Sequence, residues 1–440
     1  MSRLDNVSRR DFLARSGQAV AGLTILKSGW AQGANETIGV GVAGINGRGQ
    51  SHIAEFAGIE GCRIVALCDP DASLFEARAK PVVDKYGYKP KFYQDIRDML
   101  ADAAVDVVSI ATTNHWHALA TIWSCQAGKD VYVEKPASWS VWEGRKMVEA
   151  ARKYERIVQV GTQSRSDPTV RSAIGRLWAG QIGKCFMSRG ICFKPRGSIG
   201  FKEPKDPPAH LSFDLWLGPA PAQPYHGNLV HYNWHWFWDF GNGDLGNQGV
   251  HQMDIARWGL NRGLPTKVHS MGGRLGYTDQ GQTANTQTCT FEYDDGTLLV
   301  YEVRGLPSND EGGERIGDLF YGPDGWMASG ERYEPRIGYK GDGQAPEISD
   351  LPDVGGNGNG SHFGNFVDAV RSRDIKDLNA DILEGHLSAA LCHLANISLR
   401  VGRSLTLDPE QERFVGDGAD EANKLLKRHY REPYVIPENV

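Results

Sequence analysis

A chain of 440 residues has room for two or three domains, and 40% hydrophobic with 23% charged residues is the balance of a globular protein with a sizeable core. The formal net charge of −6 argues against a nucleic-acid surface, which is normally basic. No apolar run approaches the roughly 18 residues that cross a bilayer.

Residues 1–33 differ in pattern from the rest of the chain. Ser8-Arg9-Arg10-Asp11-Phe12-Leu13 precedes a modest apolar run, Ala19 to Leu26, and the small residues Ala31, Gly33 and Ala34 come where a signal peptidase would cut. The pattern resembles a twin-arginine export signal, which would place the mature protein in the periplasm. The competing reading is an ordinary basic amphipathic segment on a cytoplasmic protein. The seven cysteines, Cys62, Cys68, Cys125, Cys185, Cys192, Cys289 and Cys392, are odd in number, scattered and mostly in apolar contexts. They read as small core residues, with no metal-ligand spacing and no metal site expected. Unpaired cysteines fit a route expected to export proteins already folded, often with cofactor bound.

From 34 to 160 the chain alternates strand and helix. Thr37 to Ala43 is a compact β run, followed by Gly44-Ile45-Asn46-Gly47-Arg48-Gly49 and a helical pattern from Gln50 to Gly58. Strand, glycine-rich turn and helix in that order form the setting in which a glycine motif holds a dinucleotide pyrophosphate. Asn46 stands where the middle glycine of G-x-G-x-x-G is usual; asparagine tolerates positive φ better than most residues, and Gly47 adds freedom beside it. A second strand, Arg63 to Cys68, ends in Asp69. A carboxylate there accepts hydrogen bonds from ribose hydroxyls and repels a 2′-phosphate, so NAD is expected over NADP. Asp69-Pro70-Asp71 also has the composition of a helix-capping turn, and the two roles are compatible.

A helix from Leu74 to Tyr86 comes next, then Phe92 to Asp95, a helix to Leu100, and a third strand, Val105 to Ile110. This strand runs into Ala111-Thr112-Thr113-Asn114-His115-Trp116-His117 ahead of a helix from Ala118 to Ala127. Thr112, Thr113, Asn114 and His117 thereby fall at a carboxyl strand end, where open parallel sheets bind ligands. Asp130 to Val133 delivers Glu134-Lys135-Pro136 to the same edge, within reach of cofactor and substrate. A helix from Val141 to Tyr154 and a strand from Ile157 to Val160 complete a doubly wound parallel sheet.

In order and spacing, Gly44-x-Asn46-x-x-Gly49, Asp69, Thr113-Asn114-His115-x-His117 and Glu134-Lys135-Pro136 resemble the Gfo/Idh/MocA oxidoreductases. The resemblance implies a fold of class α/β plus α+β, in which an NAD-binding Rossmann domain precedes an open-faced, mostly antiparallel β-sheet domain with helices. It further implies action on sugars or polyols, a homo-oligomer built through the open sheet, and an exported subgroup carrying twin-arginine signals.

The substrate domain spans 161–405. After Gly161-Thr162-Gln163, with Gln163 counted among the substrate contacts, strand-like stretches, long loops and aromatics take over. Pro195 to Pro224 reads as surface excursions. Tyr232-Asn233-Trp234-His235-Trp236-Phe237-Trp238-Asp239-Phe240 is the densest aromatic cluster; its indoles, Trp236 in particular, either stack on sugar faces or pack between domain and sheet. Gly246 to Asp254 opens a helix through Trp258, and i, i+4 spacing places Asn247 and His251 on one face. In the family these positions hold an aspartate and a histidine beside the strand lysine. The resemblance therefore assigns catalysis to Lys135 and His251, with Asn247 standing in the aspartate's place. An amide can hold a hydroxyl but cannot raise histidine basicity. Asp239, Asp244 and Asp254 are the acids that could compensate, Asp254 fitting better as a structural helix partner.

Further strands are expected at Lys267 to Arg274, Gln287 to Tyr293, Leu298 to Val303, Asp318 to Tyr321 and Gly325 to Ala328, with a hairpin turn at Asp294-Asp295-Gly296. Gly338 to Gly360 reads as a loop. Ser361 to Arg373 and Ile382 to Arg403 are amphipathic helices that the resemblance packs against the nucleotide domain, with His362, His386 and His393 structural. Residues 406–440 read as a charged surface tail. Three functions fit: an NAD-dependent sugar oxidoreductase, a redox-neutral NAD-dependent glycosidase working through a transient 3-keto sugar, and a non-catalytic sugar sensor.

Overall fold

The computed structural model describes residues 37–330, 335–358 and 361–440; the arginine-containing segment 1–33 lies outside them. Among the described residues no helix is long and apolar enough to cross a membrane. The first strand, β1 (Ile38–Ala43), is buried at each of its 6 positions, as an inner strand covered on both faces must be. It is followed by α1 (Arg48–Gly58), β2 (Cys62–Cys68), α2 (Phe75–Tyr86), β3 (Lys91–Tyr93), α3 (Ile96–Leu100) and β4 (Val107–Ile110). Then come α4 (Asn114–Gln126), β5 (Asp130–Val133), α5 (Val141–Lys153) and β6 (Val158–Val160). The strands form a 6-stranded sheet in the order β3-β2-β1-β4-β5-β6, parallel throughout. The winding reverses between β1 and β4, so a crevice opens beyond their carboxyl ends.

One boundary moves. Helix α4 starts at Asn114, not Ala118, with Thr113 in extended conformation ahead of it. The polar Asn114, His115 and His117 form its first turn and are buried. Their polarity resembles that of a loop, but His115 bonds the Trp216 carbonyl and His117 the Pro136 carbonyl, partners that a local pattern does not show.

The second half begins with α6 (Pro168–Trp178), whose N-cap Asp167 accepts hydrogen bonds from the Thr169 and Val170 amides while Pro168 opens the helix. After β7 (Met187–Cys192) come the short α7 (Phe213–Leu217) and α8 (Val250–Leu260). Next are the strands β8 (Lys267–Gly273), β9 (Thr286–Glu292), β10 (Leu298–Arg304), β11 (Ile316–Gly322), β12 (Gly325–Gly330) and β13 (Arg336–Tyr339). The chain closes with α9 (His362–Ser372), α10 (Ile382–Val401), β14 (Leu405–Asp408), β15 (Arg413–Val415) and α11 (Ala419–Asn423). The 9-stranded sheet runs β13-β12-β11-β7-β10-β9-β8-β14-β15, with β7 and β10 parallel and the remaining described pairings antiparallel. Helices α8 and α10 cover its inner face through a core that includes Met253, Leu391, Phe291 and Tyr301. On the other face residues such as Lys267, His269 and Met271 remain exposed.

Two features depart from the sequence pattern. Strand β7 is not apparent in the sequence, because Ser188, Arg189 and Gly190 interrupt its apolar alternation. A Cβ on Gly190 would lie 3.0 Å from the Gln252 Cβ, so the absent side chain is what lets α8 approach the sheet. Residues 406–440 are not a surface tail. Leu405, Leu407 and Phe414 join the core under the sheet, and Tyr434, Ile436 and Val440 join the core of the nucleotide domain. Their charged neighbours dominate the composition and hide the sparse apolar anchors.

Candidate active site at the domain crevice

A cavity of about 360 Å³ lies beyond the carboxyl ends of the parallel strands. Gly44, Asn46, Gly47 and Arg48 line one side, and Thr112, Thr113, Asn114 and His117 another. Gly44, with φ 79°, lies so close to the next turn that a Cβ would sit 2.5 Å from the Ala111 carbonyl. Gly49 stands behind the lining, where a Cβ would reach 1.9 Å from the Gly44 oxygen and push α1 off the turn. The positive φ falls on Gly47, at 48°, rather than on Asn46. Asn46 instead offers its side-chain oxygen to Arg78, at 3.1 Å, while the same guanidinium holds the Ile45 carbonyl at 3.0 Å. Helix α1 has no side-chain cap and no acidic residue in its first turn, which leaves its N-terminus suited to a phosphate.

Asp69, at the end of β2, lines the same cavity. Its two oxygens accept the amides of Ile45 and Asp71, each at 2.9 Å, which fixes the carboxylate between the glycine turn and its own loop. Burial raises its pKa to about 6, the two backbone donors opposing that rise. The buried Asn114 Oδ1 has no partner among the described residues. Glycine turn, uncapped helix, a carboxylate at the end of β2 and an unmet acceptor in one cavity together fit a nicotinamide dinucleotide.

Glu134 and Lys135 leave β5 in different directions. The Glu134 carboxylate, 4% exposed, receives Arg48 Nε at 2.7 Å, His52 Nε2 at 3.1 Å and Gln163 Nε2 at 3.2 Å. Burial opposes its charge, but the His52 hydrogen bond and the Arg48 and Lys135 charges outweigh it and hold the pKa well below the ordinary range. The Lys135 ammonium donates to the Asn247 backbone carbonyl at 2.7 Å. Burial lowers its pKa, with Glu134 pulling the other way. The His117 ring reaches the Pro136 carbonyl at 2.7 Å and the Thr112 carbonyl at 3.1 Å, tying the β4 and β5 loops together.

The chain approaches α8 through a single π-helical stretch, Leu245–Gly249. Asn247 sits in that wider turn and His251 in the first turn of the α-helix behind it. Asn247 lines the nucleotide cavity with Lys135, and His251 lines a neighbouring one with Gln163. His251 lies within electrostatic reach of Lys135 and Glu134; burial first, then the Lys135 charge, lowers its pKa to about 4. No described residue hydrogen-bonds its ring. The three acids considered as substitutes are engaged elsewhere: Asp244 with Arg196, Asp254 with Arg165 and Ser388, and Asp239 with Gln223.

Trp236 does not line the crevice. It is 5% exposed and lies under Arg196, whereas Tyr232, Trp234 and His235 from the same segment form the lining. The tight Asn233–Trp236 turn decides which rings face the cavity, and a run of consecutive aromatics carries no phase from which to choose among them. Asp71 caps the turn after β2 by accepting the Ser73 amide, as the Asp69-Pro70-Asp71 composition implies, whereas His210 and His231 carry no signal in the sequence pattern. His210 and His231 both contact the Asp71 carboxylate, at 2.7 and 2.9 Å, and fasten the 195–240 excursion over the nucleotide side.

The fold and crevice define a two-domain dinucleotide-binding protein of the oxidoreductase class. Residues 38–162 match the oxidoreductase-family NAD-binding Rossmann fold, and residues 196–436 the oxidoreductase-family C-terminal alpha/beta domain. The chain belongs to the Gfo/Idh/MocA oxidoreductase family. An inositol 2-dehydrogenase of Salmonella paratyphi B is 30% identical over 171 residues, which are 38% of this chain and 50% of that one. A glycosyl hydrolase family 109 protein of Shewanella baltica is 30% identical over 177 residues, 35% of this chain and 39% of the relative. The matches thus span half or less of these relatives. The WlbA dehydrogenase of Bordetella pertussis, solved with NADH and UDP-GlcNAcA, shares the fold with a TM-score of 0.64, 20% identity, and coverage of 85% of this chain and 99% of that one. The aldose-aldose oxidoreductase of Caulobacter crescentus, complexed with glycerol, superimposes with a TM-score of 0.60, 18% identity, and coverage of 84% and 100%.

Proposed function

We propose that the protein is an NAD-dependent oxidoreductase that moves hydride between a carbinol carbon of a sugar or sugar derivative and a tightly held nicotinamide. The observation that carries this reading is Lys135 in one cavity with a glycine turn, an uncapped helix and Asp69, with His251 within electrostatic reach of the lysine from the neighbouring cavity. The inositol dehydrogenase and NADH-bound dehydrogenase among its relatives and fold neighbours support it.

When bound, NAD supplies reversible hydride transfer at its nicotinamide ring. Gly44, Gly47, Arg48 and the amino end of α1 would hold its pyrophosphate, and Asp69 its adenosine ribose, with a carboxylate that disfavours NADP. His251, kept neutral by burial, accepts the hydroxyl proton during oxidation. Lys135 donates a hydrogen bond to the same oxygen as negative charge develops there, an interaction strengthened by exclusion of water. Glu134 sustains the ammonium, and Arg48, His52 and Gln163 hold Glu134 in place. Lys135→Ala is expected to lower kcat by roughly 10²–10⁴-fold while leaving NADH binding, read by cofactor fluorescence, nearly intact. Unchanged turnover overturns the assignment.

A second reading is favoured by Tyr232, Trp234, His235 and His231, which line the cavity from the overlying excursion and would slow cofactor exchange. A cofactor reduced and reoxidised on one substrate needs no exchange. Hydrolysis through a transient 3-keto glycoside, or hydride exchange between two sugars, meets that condition, and the glycosyl hydrolase relative agrees with the former. Release of phenol from aryl glycosides without added NAD, with no NADH accumulating and a deuterium effect at C2, selects it. A bound NAD with no turnover on any glycoside would instead indicate a sensor. Export by the twin-arginine route and self-association through the open sheet, where Met271 and Trp326 are exposed, complete the proposal.

A further inference from the structure

The neighbouring cavity, about 460 Å³, lies between the turn after β6, the amino end of α6, α8 and strands β11 and β12. It adjoins the crevice at Gln163, which bonds Glu134 of the crevice lining, and His251 is part of its wall. Its floor is kept low by small residues. Asp318 on β11 pairs laterally with Gly190 of β7 and with Ser329 of β12, and Gly317 pairs with Gly330 beside it. Gln248 and Gln252, one helical turn apart on the approach to α8 and on α8 itself, form the opposing wall.

Asp318 is 1% exposed, yet its carboxyl makes no hydrogen bond or ion pair with any described residue, and Oδ1 is fully enclosed. An unmet buried carboxyl is costly unless something else completes it. Burial, reinforced by the charge of Asp254, pushes its pKa well up, which lets the carboxyl donate as well as accept. Among the described residues no lysine or arginine lines this cavity. Arg165, from the same turn as Gln163, is bound to Asp254 and Glu384. A second acid, Asp167, lies at the rim as the cap of α6.

We infer that this cavity receives the part of the substrate beyond its reacting carbinol, that it takes a neutral polyhydroxylated group, and that Asp318 with Ser329 selects that group by bonding its hydroxyls and excluding a carboxylate or phosphate in their place. The inference rests on the oxidoreductase reading, which sets the reacting carbon beside His251. A hydroxyl-rich ring offers donors and acceptors to Asp318, Ser329 and the two glutamines at once. An anionic substituent would be buried beside Asp167 with no lysine or arginine among the described lining residues, an uncompensated charge in a low dielectric.

The test is calorimetric titration of the full-length protein, saturated with NADH, using methyl hexosides and their matching methyl hexuronides. At least one neutral hexoside is expected to bind, with its uronide at least roughly tenfold weaker. Asp318→Ala is expected to weaken the neutral ligand by roughly tenfold, and Asp318→Asn, which keeps the shape and hydrogen bonding, to stay within about threefold of the parent. Equal or tighter binding of the uronide, no binding of any neutral hexoside, or unchanged affinity in both variants overturns the inference. NADH fluorescence in the same samples separates the failures. Loss of NADH binding counts against the oxidoreductase reading, whereas intact NADH binding with a preference for uronides counts against this subsite alone.

Discussion

Around Lys135 a small set of charges decides the chemistry. Lys135 is half-buried, so its charge leans on Glu134, whose own charge leans on Arg48, His52 and Gln163. His251 lies at the end of this chain of influence and stays neutral because burial and the lysine charge both resist a second cation. A base whose pKa is lowered to about 4 is in its working form throughout the neutral range. As pH falls through that value the ring gains a proton and can no longer accept one. In the direction of alcohol oxidation, kcat/KM is expected to be level from neutral pH down to about 5 and then to fall with an apparent pKa near 4. His251→Gln should lower the plateau by roughly 10²–10⁴-fold and remove that limb, whereas a limb unmoved by the substitution would belong to another group. The residue identities are legible in the sequence, because Glu134-Lys135-Pro136 and the Asn247-x-x-x-His251 spacing stand in fixed order. Their relative placement is not, because Lys135 is bonded to the Asn247 backbone carbonyl while His251 lines a neighbouring cavity, an arrangement set by contacts between distant segments that no local spacing records.

At the scale of single elements, α5 joins both halves and carries a charge conflict. Its N-cap Ser140 accepts the Glu143 amide at 3.3 Å, while Glu143 Oε2 accepts the Trp139 amide at 3.1 Å, a reciprocal capping arrangement. The Tyr430 hydroxyl, brought by the carboxyl-terminal segment, also donates to Glu143. Capping residues usually lie at the surface, but Glu143 is 0% exposed, and burial raises its pKa to about 7 against the help of Arg428 and these donors. A carboxyl whose folded pKa exceeds its unfolded value stabilises the fold at low pH, and that contribution disappears as pH rises through about 7. Above that pH the buried charge costs roughly 3 kcal/mol relative to a group of ordinary pKa. Glu143→Gln is therefore expected to unfold at a temperature less dependent on pH than the parent, with its largest relative gain near pH 8.5, as measured by differential scanning calorimetry between pH 5.5 and 8.5. Parallel pH profiles for both proteins would contradict the assignment. Ser140-x-x-Glu143 is readable as a helix start; its burial under Tyr430 comes from 287 residues away in the sequence.

Across the whole molecule, what local pattern carries well is the alternating half, since helices buried by a parallel sheet leave continuous apolar strands with glycine turns between them. What it misses lies where distant segments supply the partners. Strand β7 is held by β10 and β11, the excursion after Pro195 is fastened to Asp71 by His210 and His231, and the final segment returns to the nucleotide domain. This last return links fold and function most closely. Tyr434, 2% exposed, meets Trp116 edge-on at 5.5 Å and receives the Arg97 guanidinium on its ring. Trp116 in turn lines the nucleotide cavity and donates through its indole to the Leu215 and Trp216 carbonyls of the overlying excursion. Removing the Tyr434 ring leaves a void behind Trp116, so two effects are expected together. Tyr434→Ala should lower stability by roughly 3–5 kcal/mol, as for other large aromatic truncations in cores, and should weaken NADH binding because Trp116 loses its support. Tyr434→Phe, which gives up only the 3.1 Å hydroxyl contact to Asp214, should do little to either. Urea unfolding and NADH fluorescence on the three proteins read both effects. Loss of stability with fully preserved NADH affinity would show that the carboxyl-terminal segment braces the domain without shaping its cavity.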